Sequence, residues 1–185
     1  MESCAFDVER YMGKWYEIAH SPTLYQRGCA NAIAEYSLLE DGSVEIVNTC
    51  YAGCGARLSE VIGIGNIVGS GQMKITFPNS SMYRVMSWVK NKCGKSGANY
   101  IVLDTDYDNY AIVTSSSRKD VWLLSRVPCI KDLQYYSLLK RVREFGVNTR
   151  KITVDKNTVL YNNGPYYSMI RDKCLYGDDS LSGMI

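Results

Sequence analysis

The sequence predicts an all-β protein: an eight-stranded antiparallel up-and-down β-barrel with one C-terminal α-helix packed outside it. Three observations predict this class. Short β-type runs recur between turn residues at fairly regular spacing over about 13–126. One amphipathic helical pattern follows them. No internal repeat or low-complexity linker divides the chain.

The first run covers residues 15–19 and the second 30–39. The second closes on Glu40-Asp41-Gly42-Ser43, and Asp-Gly between apolar runs is a strong hairpin signal. In the third, 44–51, alternation puts Val44, Ile46, Asn48 and Cys50 on one face and Glu45, Val47 and Thr49 on the other. Further runs lie at 61–68, 73–77, 100–104, 110–114 and 121–125. Residues 78–99 break the rhythm: 82–89 suits a strand and 91–98 a loop, and so long a connection is often functional. The helix is expected at about 131–145, where Tyr135, Leu138, Leu139, Val142 and Phe145 form one stripe. Asp132 near its start and Lys140, Arg141 and Arg143 near its end suit the helix dipole, and Gly146 can end it as a left-handed cap. A short strand at 151–154 and a loose tail complete one domain spanning 1–185.

Composition narrows the function classes. The 185 residues are 46% hydrophobic and 22% charged, ordinary globular values for a chain this long. The net charge of +2 is mixed in sign, and the basic cluster at 140–143 is explained by the helix dipole, so no nucleic-acid partner is expected. No apolar run approaches the ~20 residues of a membrane span. Seven cysteines favour disulfides and hence a secreted, extracellular location, although no signal peptide is visible at the start. The single histidine, His20, argues against a catalytic triad, a metal cluster or a proton relay. Cys50 and Cys54 have no second pair at finger spacing and no nearby histidine, which argues against zinc. No catalytic residue, metal or cofactor is expected.

Three segments carry a resemblance. Asp7-Val8-Glu9-Arg10-Tyr11-Met12-Gly13-Lys14-Trp15-Tyr16-Glu17-Ile18 contains Gly13-x-Trp15 at the start of the first strand. Thr105-Asp106-Tyr107 stands between the sixth and seventh strands, and Trp122-Leu123-Leu124-Ser125-Arg126 ends the last strand just before the helix. In this order and spacing they resemble the lipocalins, over about residues 6–154. Residues 34–48 look like the branch of bacterial lipocalins and apolipoprotein D. The resemblance implies the lipocalin calyx, with Gly13, Trp15, Thr105, Asp106, Tyr107 and Arg126 sealing its closed end. There Arg126 would lie over the Trp15 indole, a contact worth ~1–2 kcal/mol when desolvated, and Gly13 would permit close approach of the backbone. The connection at 78–99 is longer than in related proteins, and it would shape the open end.

The implied function is transport or sequestration of a small hydrophobic ligand, such as a fatty acid, a lysophospholipid or a sterol-like molecule. An inward Arg126 makes Trp122 and Leu124 face inward too. With Ala34, Tyr36, Ile46 and Asn48 they form the candidate ligand-binding wall, and apolipoprotein D-like proteins use the positions matching Tyr36, Asn48 and Trp122. His20 is expected near the mouth as a solvated side chain. In related lipocalins Cys29 and Cys174 correspond to a bridge tying the tail to the barrel. Cys4 with Cys129 is a further candidate pair, and Cys50, Cys54 and Cys93 offer one more. Two other readings stand beside the carrier: a sequestering module that grips a mediator or protein through 78–99, and an isomerase using a barrel thiol at Cys50. Expected partners are a lipid or similar ligand and a membrane surface met peripherally, with the chain a monomer or weak dimer.

Overall fold

The computed structural model describes residues 5–22, 29–52, 57–77, 97–155 and 159–161. A one-turn helix, α1 (Val8–Tyr11), comes first. Asp7 caps it by accepting a hydrogen bond from the Arg10 N–H at 3.0 Å. Eight strands follow: β1 (Gly13–His20), β2 (Asn31–Leu38), β3 (Val44–Tyr51), β4 (Arg57–Gly69), β5 (Gln72–Thr76), β6 (Tyr100–Thr105), β7 (Tyr110–Thr114) and β8 (Val121–Ser125). Each pairs antiparallel with the next, and β8 returns to β1 through Tyr16↔Ser125 to His20↔Trp122. That last pairing closes the barrel and leaves no free edge along this meander.

After the barrel come β9 (Cys129–Lys131), α2 (Asp132–Glu144), β10 (Thr153–Val154) and β11 (Val159–Tyr161). The helix lies within one residue of its predicted span at each end. Tyr135, Leu138, Leu139 and Val142 pack onto Ile18, Ile112, Val121 and Leu123 of the outer barrel wall. Strand alternation therefore builds two cores from the same residue runs. On β8, Val121 and Leu123 face the helix, while Trp122 and Leu124 face the barrel interior. On β7, Ile112 faces out to the helix and Ala111 and Val113 face in. Burial on both faces explains why these strands read as continuous apolar runs.

Strand β4 begins four residues before the predicted run, at Arg57, because the β3 ladder extends to Tyr51↔Arg57. Its exposed flank carries Leu58 and Ile62, away from the helix. Inward, β4 has Gly63 and Gly65. A Cβ on Gly63 would fall 2.6 Å from the Phe77 ring, and one on Gly65 would fall 3.0 Å from Ile46. These glycines leave the interior to the neighbouring strands' side chains. Residues 82–89, read as a possible strand, lie outside the described residues.

Candidate functional site

The closed end is built around one stack. The Arg126 guanidinium lies 3.7 Å above the centre of the Trp15 ring, and Trp15 is fully buried. Its nitrogens donate to four backbone carbonyls, those of Lys14, Arg10 and Tyr107 at 2.9 Å and that of Tyr11 at 3.4 Å. The indole Nε1–H donates to the Tyr11 carbonyl at 2.9 Å. Arg126 thus ties β1, α1 and the β6–β7 turn to the end of β8. Gly13 matters for its backbone: φ is +92°, a conformation that side chains rarely adopt, whereas its approach to Arg126 is an ordinary contact at 3.4 Å.

The turn holding Thr105, Asp106 and Tyr107 is organised by its own side chains. The Thr105 hydroxyl donates to the Tyr110 carbonyl at 2.7 Å and accepts from the Tyr107 N–H at 2.9 Å. Asp106 accepts from the backbone N–H groups of Asn109 and Tyr110. Partial burial acts to raise the Asp106 carboxyl, but these hydrogen bonds outweigh it and hold the group below its usual range. They also hold Tyr107 at a φ of +69°.

Above this floor, the expected wall residues gather on the inner face of the barrel. Tyr36, Ile46 and Leu124 are buried in the inner core, and Ala34 and Trp122 pack against it. Asn48 lies on the inward face of β3, two residues beyond Ile46, opposite Ala34 of β2 and Val61 of β4. Met73, Ile75, Val113 and Phe77 add further apolar surface. The sequence reading missed Tyr11 and Tyr100. Tyr11 closes the floor from α1 with its ring 5.2 Å from Trp15, and its hydroxyl meets that of Tyr100 on β6 at 2.6 Å. Tyr100 stood at the start of a predicted strand run and Tyr11 before the first one, but their meeting depends on pairing across the barrel.

The other end corrects two expectations. His20 is not solvated: its side chain is 14% exposed, and its Nδ1 lies 2.8 Å from both Glu17 Oε1 and Asp155 Oδ1. Burial alone would pull the imidazole down, but the hydrogen bonds and charges of Asp155 and Glu17 overcome this and push it up to about 10. The reason for the cluster is topological. The β1–β2 ladder ends at Tyr16↔Ile33, and β10 takes over the edge of β1 through Ala19↔Val154 and His20↔Thr153. Asp155 follows β10, donates its N–H to the Ile18 carbonyl at 2.9 Å, and accepts from the Ala32 N–H of β2 at 3.3 Å. One carboxylate thus bridges the seam where β1 and β2 part.

The second correction is the disulfide. Cys29 is bonded to Cys50, not to Cys174, which lies outside the described residues along with Cys4, Cys54 and Cys93. The β2–β3 register explains the choice. It sets Asn31 opposite Tyr51 and Ala32 opposite Cys50, and the Ala30 N–H continues the ladder to the Tyr51 carbonyl at 2.8 Å. Cys29 is thereby carried to Cys50 with a Cα separation of 5.5 Å, within disulfide reach. Cys50 is not a thiol, and the isomerase reading loses its nucleophile. Cys129 is buried.

A closed eight-stranded meander, sealed at one end by an Arg–Trp stack and apolar within, is a calyx-type barrel. Residues 6–157 match the family described as a lipocalin-like domain. The lipocalin R877 of Acanthamoeba polyphaga mimivirus is 34% identical over 150 residues, covering 80% of this chain and 83% of that protein. Apolipoprotein D of Bos taurus is 31% identical over 163 residues, covering 83% of this chain and 76% of that protein. Among solved structures, lobster apocrustacyanin A1 superimposes with a TM-score of 0.57 at 22% identity, over 88% of this chain and 84% of that one. The chain belongs to the lipocalin family, whose members bind small hydrophobic ligands.

Proposed function

We propose that this protein is a single-domain carrier that holds a small hydrophobic ligand inside the barrel, for transport or sequestration. The ligand class is a lipid: a fatty acid, a lysophospholipid or a sterol-like molecule. The observation that carries the reading is the inward wall of Ala34, Tyr36, Ile46, Trp122 and Leu124, with Asn48 on the same β3 face. Such a wall, mostly apolar with a few polar groups, suits a ligand that is apolar along its length and polar at one point. Tyr36 and Trp122 each offer a large ring face and one hydrogen-bonding group.

Native mass spectrometry of the mildly purified chain should detect a bound lipid. A fluorescent fatty-acid analogue should bind and be displaced by unlabelled lipids. An empty barrel in the mass spectrum, with no displacement across several chain lengths and head groups, would contradict the carrier reading.

A further inference from the structure

Three phenols, two buried and one partly exposed, meet inside the barrel. Tyr100 Oη lies 2.6 Å from Tyr11 Oη and 2.9 Å from Tyr36 Oη. The three come from α1, β2 and β6, so the hydroxyls converge across the barrel beside the sealed floor. Tyr11 is fully buried, Tyr36 is 4% exposed, and Tyr100 is partly exposed. Burial raises all three phenols above their ordinary range, so each keeps its proton and remains a donor.

The protons can be counted. Each hydroxyl carries one, which gives three donors for two hydrogen bonds. Whichever way the chain of hydroxyls is oriented, one O–H is left without an acceptor among the described residues. Where that O–H falls on Tyr11 or Tyr36 it is buried, and leaving it unspent is costly; a ligand oxygen would relieve that cost.

The charges around the trio select the kind of oxygen. The Arg126 guanidinium influences Tyr11, but it already serves the Trp15 ring and the carbonyls of Arg10, Lys14 and Tyr107. The Glu17 carboxylate acts on Tyr36 with the opposite sign. A carboxylate head entering here would lose its hydration and gain one neutral donor, with the Arg126 cation already engaged and Glu17 already paired with His20 at 2.8 Å. A hydroxyl or carbonyl oxygen loses much less and accepts the same bond.

We propose that Tyr11, Tyr36 and Tyr100 form a head-group subsite at the barrel floor, selecting apolar ligands tipped by a neutral hydroxyl or carbonyl and seated oxygen-first. This rests on the reading of the barrel as the ligand site.

The test is displacement of a fluorescent lipid probe from the full chain by a hydrocarbon, an alcohol, a methyl ketone and a fatty acid of equal chain length. The alcohol and ketone should displace the probe at ~10-fold lower concentration than the hydrocarbon or the acid, the value of one hydrogen bond at the upper end of its usual range. The proton count makes a further prediction about variants. Tyr36→Phe leaves two hydroxyls and one bond, so one donor is still unspent and the preference should persist. Replacing Tyr11, Tyr36 and Tyr100 together by Phe should abolish the preference while the hydrocarbon still binds. Equal displacement by all four compounds, or preference for the acid, would overturn the subsite and leave the carrier intact. So would a preference that survives in the triple variant. The wild-type series decides the matter even if the triple variant does not fold. Failure of the probe and of every compound to bind would instead remove the carrier reading, and the subsite with it.

Discussion

The two ends of the barrel are held by different forces. At the closed end, one Arg side chain covers a buried indole and donates to four backbone carbonyls. Its guanidinium donates to carbonyls, and Asp106, which shapes the turn bearing Tyr107, is held below its usual range, so it stays ionised at ordinary pH. At the seam, one imidazole sits between two carboxylates, and Asp155 also accepts from the backbone of a neighbouring strand. That arrangement is electrostatic and sensitive to protonation. The comparison separates a floor that fixes the fold at any ordinary pH from a seam whose grip follows the charge on His20.

The largest expected effect lies at the floor. Trp15→Ala empties a fully buried site and should cost ~3–5 kcal/mol in urea unfolding. Next comes the covalent link on the side of the barrel away from the floor. Cys29→Ser with Cys50→Ser opens a loop of sequence separation 21 and should cost about 3 kcal/mol in the chain-entropy description. Under reducing conditions this variant and the wild type should become equally stable; a persistent difference would mean that packing, not the link, was lost.

Arg126→Lys keeps the charge but loses the planar stack and the forked donors, so it should cost ~2 kcal/mol, and equally at each pH tested. If its cost varied with pH as steeply as that of a His20 variant, the contrast between the two ends would collapse.

The effect at the seam is distinguished by its pH dependence rather than by its size. The folded pKa of His20 is raised from 6.5 to about 10, so its stabilisation is fully present below 6.5 and is lost as pH rises through 10. Denaturant unfolding of His20→Gln should therefore show its largest deficit at the acidic side of that window and approach wild-type stability at the alkaline side. A deficit that grew with pH would reverse the assignment.

Much of this was legible in the sequence, for identifiable reasons. The inward direction of Arg126 sets that of Trp122 and Leu124, because side chains on a strand alternate. The helix stripe Tyr135, Leu138, Leu139 and Val142 was readable from its period, and those residues are the ones buried. What was not legible depends on register and on contacts between distant strands. Asp155 reaches His20 across a separation of 135 residues, and Tyr100 reaches Tyr11 across 89. Cys29 was paired with Cys174 by resemblance, and the β2–β3 ladder brings it to Cys50 instead. Gly13 was read as a place of close approach, whereas its positive φ is the stronger constraint.

The central claim is that the ligand occupies the barrel interior, above the floor. Ala34 faces that interior from β2, opposite Asn48, and packs against the inner core. Ala34→Trp would fill the interior beside Trp15, its register partner on β1, and Ala34→Phe would fill it in part. The measurement is binding of a fluorescent fatty-acid analogue to both variants, with thermal unfolding to verify the fold. The account predicts folded proteins whose affinity falls stepwise, by ~10-fold or more for the larger side chain, which displaces apolar contact worth a kcal/mol or two. Folded Ala34→Trp protein that binds the probe as tightly as wild type would contradict it.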